Sequence, residues 1–281
     1  MQRLHVHRRA VLLLLLILSS ACSGAPTSSA PTMAAPTAAP TAPSITIAPT
    51  AAPTVLVALV PTAASVLTTE AAYAPNIDSA NFVSTVDNPY FLLKPGTIYI
   101  YEGKTELGNE HVEVTVSSEP KVIAGVTYAA LTDVVMVDGQ LEEGTVDWYA
   151  QDKQGNVWYF GEDTKEYKDG KVTGTQGTWE ASVNGAKPGI IMKANPVVGD
   201  TYRQEYYKGE AEDMATVLSL ADSAAVPVGS YSDKLVTNEW SALDNPPVFE
   251  HKYYAKGVGE ILTQGFEGGG WKLKLVEIRH T

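Results

Sequence analysis

The chain has 281 residues, 44% of them hydrophobic, and its 20 Lys and Arg against 32 Asp and Glu give a formal net charge of -12. An acidic chain without a basic stripe repels phosphate backbones, which argues against nucleic-acid binding. Its single cysteine excludes a disulfide framework and any metal or iron–sulfur site built from several cysteines, and we expect no cofactor.

Residues 1–21 have the pattern of a signal peptide. Three arginines precede nine apolar residues, Ala10–Leu18, which are too few to span a bilayer. Small residues then lead to Cys22, and the segment resembles the lipobox of bacterial lipoproteins, with Ser19 in place of the usual leucine. The resemblance implies that a lipid on Cys22 anchors the protein in the cell membrane, facing the extracytoplasmic side. The alternative is an ordinary cleaved signal peptide.

Residues 22–75 are predicted to form a disordered tether behind the lipidated cysteine. Six Ala-Pro-Thr triplets and a single charge, Glu70, lie in this stretch, which has no aromatic residue before Tyr73. Such a segment cannot build a core, and frequent proline favours the extended polyproline II conformation. Fifty residues of it would reach on the order of 150 Å.

Residues 76–281 are predicted to form one all-β domain. Short runs rich in β-branched and aromatic residues follow one another, separated by Gly, Asn and Asp. Ala211–Ala221 is ambiguous between helix and strand, and we interpret it as a strand after a possible helical turn. The other predicted strands are Thr97–Tyr101, Val112–Val116, Lys121–Tyr128, Thr132–Val137, Thr145–Tyr149, Asn156–Phe160, Gly177–Val183, Gly189–Met192, Thr201–Tyr207, Lys234–Trp240, Glu250–Tyr254, Glu260–Thr263 and Lys272–Ile278.

The turn signals predict how these strands connect. Asp138-Gly139, Asp169-Gly170 and Asn184-Gly185 are pairs that tight hairpins require, and Gln154–Asn156 and Gly268–Gly270 are further turn signals. About twelve strands joined by hairpins form an antiparallel meander, which must curve to bury one face. We therefore predict a curved open barrel or half-barrel.

Two motifs resemble those of a bacterial family. Val226–Tyr231 (VPVGSY) and Tyr253–Gly259 (YYAKGVG) are similar to the paired V-P-x-G-[ST]-aromatic and Y-x-A-x-G-V-G motifs of uncharacterised exported lipoproteins with half-barrel-like β domains. The resemblance implies a β-rich exported domain. It implies no catalytic residue.

Aromatic side chains are the first candidates for a ligand site. Alternation places Tyr202 and Tyr206 on one face of a strand, and His251 and Tyr253 on one face of another. Aromatic and polar groups sharing a face could line a cavity for a lipid headgroup, a sugar or a peptide. The alternative is a filled core with tyrosine hydroxyls at its rim.

Carboxylates inside predicted strands are the second candidates. A pair facing inward could act as general acid and base or bind a cation, although carboxylates on strands ordinarily face solvent. No histidine has a metal-ligand spacing and no segment matches a calcium loop, so we expect no metal site, and weak calcium binding by the acidic loops is the alternative. The candidate carboxylates are Asp147, Glu180, Glu205, Glu239 and Glu250.

These features favour an anchored, non-enzymatic lipoprotein whose β domain binds an extracellular ligand or partner. One alternative is an enzyme that acts on envelope or environmental glycans through paired carboxylates, and another is a purely structural surface protein. The state of the interior distinguishes them, because an open polar cavity favours binding, a matched carboxyl pair favours catalysis and a filled interior favours structure.

Overall fold

The computed structural model describes residues 73–123, 125–266 and 270–281. The predicted signal peptide, Cys22 and nearly all of the tether lie outside the described residues. Nineteen strands and one 3-10 turn, Ser79–Asn81, account for the regular structure in the described part. The strands are β1 Phe82–Val83, β2 Val86–Asn88, β3 Phe91–Leu93, β4 Thr97–Lys104, β5 Asn109–Val116, β6 Lys121–Ile123, β7 Val126–Val137, β8 Gln140–Asp152, β9 Val157–Lys168, β10 Lys171–Gly174, β11 Trp179–Glu180, β12 Lys187–Met192, β13 Thr201–Arg203, β14 Glu205–Tyr206, β15 Asp213–Val226, β16 Gly229–Ser241, β17 Glu250–Ala255, β18 Gly259–Gly265 and β19 Trp271–His280.

Seventeen of these strands form one antiparallel sheet that curls into a nearly closed barrel. Strands β4, β5, β7, β8 and β9 make one meander, and β15 to β19 make a second. The two meanders are joined by the pairing of β19 with β4 on one side. On the other side the short strands β12, β13 and β14 connect the two meanders: β12 pairs with β9 and β14, and β13 pairs with β15. The barrel is closed except for one seam, which lies on this side. The predicted all-β, curved-barrel fold is confirmed.

The tight turns follow the predicted chemistry. Asp138-Gly139, Asp169-Gly170 and Asn184-Gly185 have positive φ at both residues, as type I′ turns require. The predicted Gln154–Asn156 turn joins β8 to β9. Of the Gly268–Gly270 signal, only Gly270 is described, and its φ is 86°.

Three predicted strands are shorter or divided. Lys121–Tyr128 is a hairpin of β6 and β7, because Gly125 adopts a φ of 81°. Thr201–Tyr207 is interrupted at Gln204, since β13 pairs with β15 whereas β14 pairs with β12. Gly177–Val183 is reduced to the two residues of β11 because a φ of 72° at Ser182 turns the chain. The ambiguous segment from Ala211 is strand β15, as we interpreted it.

An apolar core fills one end of the barrel. Inward residues such as Val114, Leu131, Tyr149 and Leu275 belong to a single cluster, which the β2–β3 hairpin covers through Tyr90 and its neighbours. The hairpin is held by polar contacts as well. The side-chain oxygen of Gln151 accepts the backbone N–H groups of Asp87 and Asn88 at 2.9 and 2.8 Å.

The two motifs of the family resemblance lie in turns. Pro227 and Val228 form the tip of the β15–β16 hairpin, and residues 256–258 form the tip between β17 and β18. Gly257 has a φ of 77° there, and its N–H donates to the Pro89 carbonyl at 2.7 Å. Both motifs therefore form hairpin turns. The second motif also holds the β2–β3 hairpin, which covers the apolar core, through the hydrogen bond from Gly257 to Pro89.

Candidate functional site

The inner wall of the barrel changes from apolar to acidic along its strands. On β5 the buried residues alternate with more exposed ones, and they run from Glu110 at one end to Val116 at the other. Strand β8 repeats the change, because its inward residues run from Glu143 and Asp147 to Tyr149. Strand β7 lies between them and places Asp133 opposite Thr145 of β8. Asp133 is, however, the cross-strand neighbour of Val114, and Asp147 is that of Leu131, so on this side of the barrel the buried carboxylates adjoin residues of the apolar core.

The second meander completes this wall. Glu239 of β16 lies directly opposite Glu250 of β17, and Asp213 of β15 lies opposite Ser241 of β16. Each of these carboxylates is almost completely buried. We call this part of the interior the acidic half, and define it by the buried carboxylates Glu110, Asp133, Glu143, Asp147, Glu162, Asp213, Glu239 and Glu250.

Negative groups dominate the buried charge. Among the described residues twelve carboxylates are buried, against two lysines, Lys234 and Lys252. Burying a charge is costly unless an opposite charge or hydrogen bonds compensate it. The carboxylates of the acidic half therefore depend on compensating contacts such as the pair of Glu239 with Lys252.

Lys252 is a cation that already resides there. Its Nζ lies 3.0 Å from Oε2 of Glu239, and both side chains are almost fully buried. Burial acts to lower the pKa of Lys252, but the charges of Glu239, Glu260 and Glu250 outweigh it and raise that pKa above its usual range. The ammonium group is therefore held in its charged form.

Glu239 is held ionised by the same contacts. Burial acts to raise its pKa, whereas Lys252 and hydrogen bonds from Thr237 and Tyr254 lower it, and the net effect is a lowered pKa. The hydroxyls of Thr237 and Tyr254 donate to Oε1 at 2.7 and 3.1 Å. Glu260 differs, because burial outweighs the attraction of Lys252 and raises its pKa. The wall thus contains carboxyl groups whose charge states are set differently.

A tyrosine links two carboxylates on the opposite wall. The Tyr159 hydroxyl lies 2.6 Å from Oδ1 of Asp147 and also contacts Oε2 of Glu162, which pairs with Asp147 across the strands. The Tyr159 ring stacks on Tyr149 at a centroid distance of 4.8 Å and meets Trp179 edge-on. The indole N–H of Trp179 donates to Glu205 at 2.8 Å. This network fixes the carboxylates in place.

Gln204 and Tyr202 carry polar groups without a hydrogen-bond partner. Gln204 is 0% exposed, yet neither its amide nitrogen nor its amide oxygen is hydrogen-bonded, and the buried Tyr202 hydroxyl is likewise without a partner. The Gln204 N–H donates to the Asp213 carbonyl and Tyr202 pairs with inward-facing Ala215, so both side chains point to the inner wall. An unsatisfied buried polar group costs about 1–3 kcal/mol. Buried polar groups in folded proteins ordinarily have a hydrogen-bond partner, which can be a protein group, a water molecule or a bound ligand.

The candidate aromatic residues do not meet in one place. Tyr202 faces the acidic half, where burial and the charges of Glu239 and Asp200 raise its pKa. Tyr206 is buried against Tyr73 near the seam, with the Arg203 guanidinium 4.7 Å from its ring. His251 and Tyr253 alternate with the inward residues of β17 and are half-buried on its outer face.

Three of the five candidate carboxylates are buried on the inner wall, and two of them, Glu239 and Glu250, lie directly opposite each other. Asp147, Glu239 and Glu250 belong to the acidic half, against the ordinary outward arrangement. Glu205 is buried and bound by the Trp179 indole, whereas Glu180 is half-exposed, 3.6 Å from Lys121. Sequence reasoning missed the remaining members of the acidic half. Glu110 could have been found, because it lies two, four and six residues before Val112, Val114 and Val116 and so shares their face of the strand.

A cleft of about 760 Å³ lies at the acidic end of the barrel, by the β4–β5 and β7–β8 turns. Its lining includes Glu110 and Gly103 of the inward rows together with Glu102, His111 and Asp138. A smaller cleft of about 250 Å³ lies beside the 3-10 turn. In the part of the chain that the structure describes, no group of three or more His, Cys, Asp or Glu is arranged to hold a metal ion.

Comparison with known proteins identifies no family. No family model matches the chain, and no curated protein is significantly similar. Two solved structures match with a TM-score of 0.39 and 13% identity each, over 68% of this chain and 98% of theirs. One is a candidate lipoprotein from Parabacteroides distasonis, and the other is a candidate exported protein with a YmcC-like fold from Bacteroides fragilis. The function of this domain therefore has to be inferred from its own geometry.

The described residues include no helix with the length and apolar character needed to cross a membrane.

Proposed function

We propose that the chain is an extracytoplasmic lipoprotein, anchored through Cys22, whose β domain binds a ligand in the acidic half of the barrel. The N-terminal pattern of arginines, apolar run and cysteine supports the anchor. The observation that carries the binding function is Gln204, which is fully buried on the inner wall with its whole amide group unsatisfied. A ligand in the interior would supply those hydrogen bonds.

Two features favour binding over the alternatives. A purely structural barrel would gain stability by filling its interior with apolar side chains, as the other end of this barrel does. A glycan-cleaving site needs free space between its two carboxyl groups for the sugar or a water molecule. In the strand pair that carries Asp147 and Glu162, the Tyr159 hydroxyl occupies the space between the carboxyl groups.

A thermal-shift screen of the full-length chain in detergent tests the binding function. A ligand at one hundred times its dissociation constant stabilises a protein by about 2.7 kcal/mol, which is a readily measured increase in Tm. We expect Gln204→Leu to reduce the shift, because it removes the amide that the ligand would satisfy. Gln264→Leu is the matched control, since Gln264 is a half-exposed glutamine on the outer face of β18. Ligands whose shifts are equal in both variants would contradict an interior site.

The anchor has its own test. Cys22→Ser removes the thiol to which the lipid would be attached, so labelled fatty acid should no longer enter the protein and the variant should leave the membrane fraction. Retention of both the label and the membrane location in the variant would contradict the anchor.

A further inference from the structure

We propose that the outer face of β16, β17 and β18 binds a glycan, a chain of pyranose sugars. This surface is separate from the interior site of the proposed function, so the inference goes beyond that function. It is drawn from exposed aromatic rings on this face, from a row of hydrogen-bonding side chains beside them, and from the charge and size of the two rows together.

The two exposed aromatic side chains of the described part lie together on this face. Phe249 is 42% exposed and Phe266 is 49% exposed, whereas every other aromatic side chain among the described residues is buried or half-buried. Phe249 directly precedes Glu250 and Phe266 directly follows Gly265, and Glu250 and Gly265 are cross-strand partners. Aromatic rings carry a large apolar area and are ordinarily buried, so two exposed neighbours indicate a surface that another molecule covers.

Neighbouring rings place the two phenylalanines on the outer side of the sheet. The Phe249 ring lies 6.0 Å from that of Trp240, and the Phe266 ring meets the His251 imidazole edge-on at 4.6 Å. Trp240 and His251 are half-buried and alternate with the buried inward residues of β16 and β17. We call Trp240, Phe249 and Phe266 the aromatic shelf. It lies at the end of the three strands.

A row of polar side chains runs beside the aromatic shelf. Asn238 of β16 lies opposite His251 of β17, which in turn lies opposite Gln264 of β18. The row continues to the exposed Lys272 of β19. The amides of Asn238 and Gln264 are half-exposed and have no hydrogen-bond partner among the described residues. Their donors and acceptors are therefore available to a ligand.

The middle member of this row is uncharged at neutral pH. Burial lowers the pKa of His251, although the charge of Asp222 acts in the opposite direction. A neutral imidazole has one donor and one acceptor, and each amide has two donors and an acceptor oxygen. The row from Asn238 to Gln264 therefore consists of groups that can both donate and accept hydrogen bonds.

The two rows match the two surfaces of a pyranose ring, which has faces of C–H groups and a rim of hydroxyls. The C–H face packs on the negative π surface of an aromatic ring, and the hydroxyls exchange hydrogen bonds with amides and imidazole. Neighbouring strands are about 4.8 Å apart, which is close to the length of one pyranose ring. Successive strands therefore present binding groups to successive sugars of a chain.

The size and charge of the face favour a glycan over a protein or a membrane. Two rows on three strands cover on the order of 200 Å², whereas a stable protein interface buries about 800 Å² on each partner. A bilayer would leave the amides of Asn238 and Gln264 without partners, which is costly. Neither row contains Asp or Glu, although the chain has a net charge of -12, so acidic sugars are not repelled by the rows themselves.

Affinity electrophoresis of the full-length chain tests this inference. The chain is kept in a polyoxyethylene detergent, which has no sugar headgroup to compete, and the native gels contain glycogen, hydroxyethylcellulose or polygalacturonate. We expect at least one of these probes to retard the protein. Retardation by glycogen or hydroxyethylcellulose identifies a neutral glycan and retardation by polygalacturonate an acidic one, and either result supports the inference.

Variants of the aromatic shelf locate the binding. Phe249→Ala and Phe266→Ala should each weaken it about tenfold, because each removes one stacking contact, whereas Phe249→Tyr keeps the ring and should retain it. Val172→Ala is the matched control, since it truncates an exposed apolar side chain on β10, outside this face, and should leave binding unchanged. Melting curves check folding, and the Tm should change little because both phenylalanines are exposed.

The inference is overturned if no probe retards the native chain, if both alanine variants of the shelf bind as well as the native chain, or if Val172→Ala weakens binding equally. A glycan whose binding is lost in Gln204→Leu and kept in Phe249→Ala binds in the interior. That result would overturn the outer site and leave the proposed function standing.

Two further measurements test other occupants of the face. In sedimentation velocity, a dimer that Phe249→Ala dissociates would show that a second copy of the chain covers it. In vesicles of brominated phosphatidylcholine, fluorescence quenching that Trp240→Phe strongly reduces would show that a membrane covers it. Either result would overturn the glycan.

Discussion

Removal of the Lys252 ammonium group should strongly destabilise the domain. Lys252 and Glu239 form an ion pair of 3.0 Å whose side chains are 2% and 3% exposed. Breaking a buried pair from one side typically costs 3–5 kcal/mol, because the remaining charge is left in the interior. Lys252→Met keeps most of the apolar stem, and we expect it to lower the free energy of unfolding by about 3–5 kcal/mol.

A double-mutant cycle measured by urea denaturation tests this reasoning. Adding Glu239→Gln to Lys252→Met removes the stranded charge and should restore part of the lost stability. Lys165→Met is the control, since Lys165 forms a 2.8 Å pair with Asp163 on the surface, where both side chains are more than two-fifths exposed. We expect it to cost less than about 1 kcal/mol. A similar small cost for Lys252→Met would refute the claim that the acidic half depends on a resident cation.

Three further changes test the fold and the wall. Tyr206→Ala should cost about 3–5 kcal/mol in denaturation because Tyr206 is buried, whereas Tyr253→Ala, on the half-exposed outer face, should cost about 1–2 kcal/mol. Equal losses would contradict their different placement. Gly265→Ala should lower the Tm, with a cost of about 1–3 kcal/mol, because its new methyl would meet an indole at 2.1 Å. Gly144→Ala, with its nearest atom at 3.5 Å, should be close to neutral, and an equal loss would show that the indole contact is not the cause. Glu260→Gln should stabilise the domain at neutral pH, because a raised pKa means that folding disfavours the ionised group, and the gain should shrink as the pH falls through that raised pKa. A gain that is independent of pH would contradict this sign.

Local chemistry made the turns and most strands predictable. Pairs such as Asp138-Gly139 need no tertiary information, because the positive φ that they adopt is a property of those residues. The break at Gln204 could not be predicted in this way. It arises because the segments before and after it pair with different strands, which are distant in the sequence.

The acidic half was only partly predictable, for a geometric reason. Alternation separates Glu250, Lys252 and Tyr254 from His251 and Tyr253, but the two faces of a strand are equivalent until the sheet closes. In β17 both sets mix aromatic and charged residues, so hydrophobicity does not decide which set is inside. Only the curvature of the complete barrel assigns the carboxylates to the interior.

The closure of the barrel by β19 has a consequence for the order of folding. Thr97 and His280, which meet where β4 pairs with β19, lie 183 positions apart along the chain. Contacts at such separation form slowly, because the entropy of a long loop is lost before the contacts contribute any stability. As a chain emerges from its N-terminal side, β4 must wait with an open hydrogen-bonding edge until β19 arrives, and an open edge invites pairing with other chains. We therefore expect the domain to be most prone to aggregation after β4 has emerged and before β19 has emerged. A chaperone would be needed most during that period.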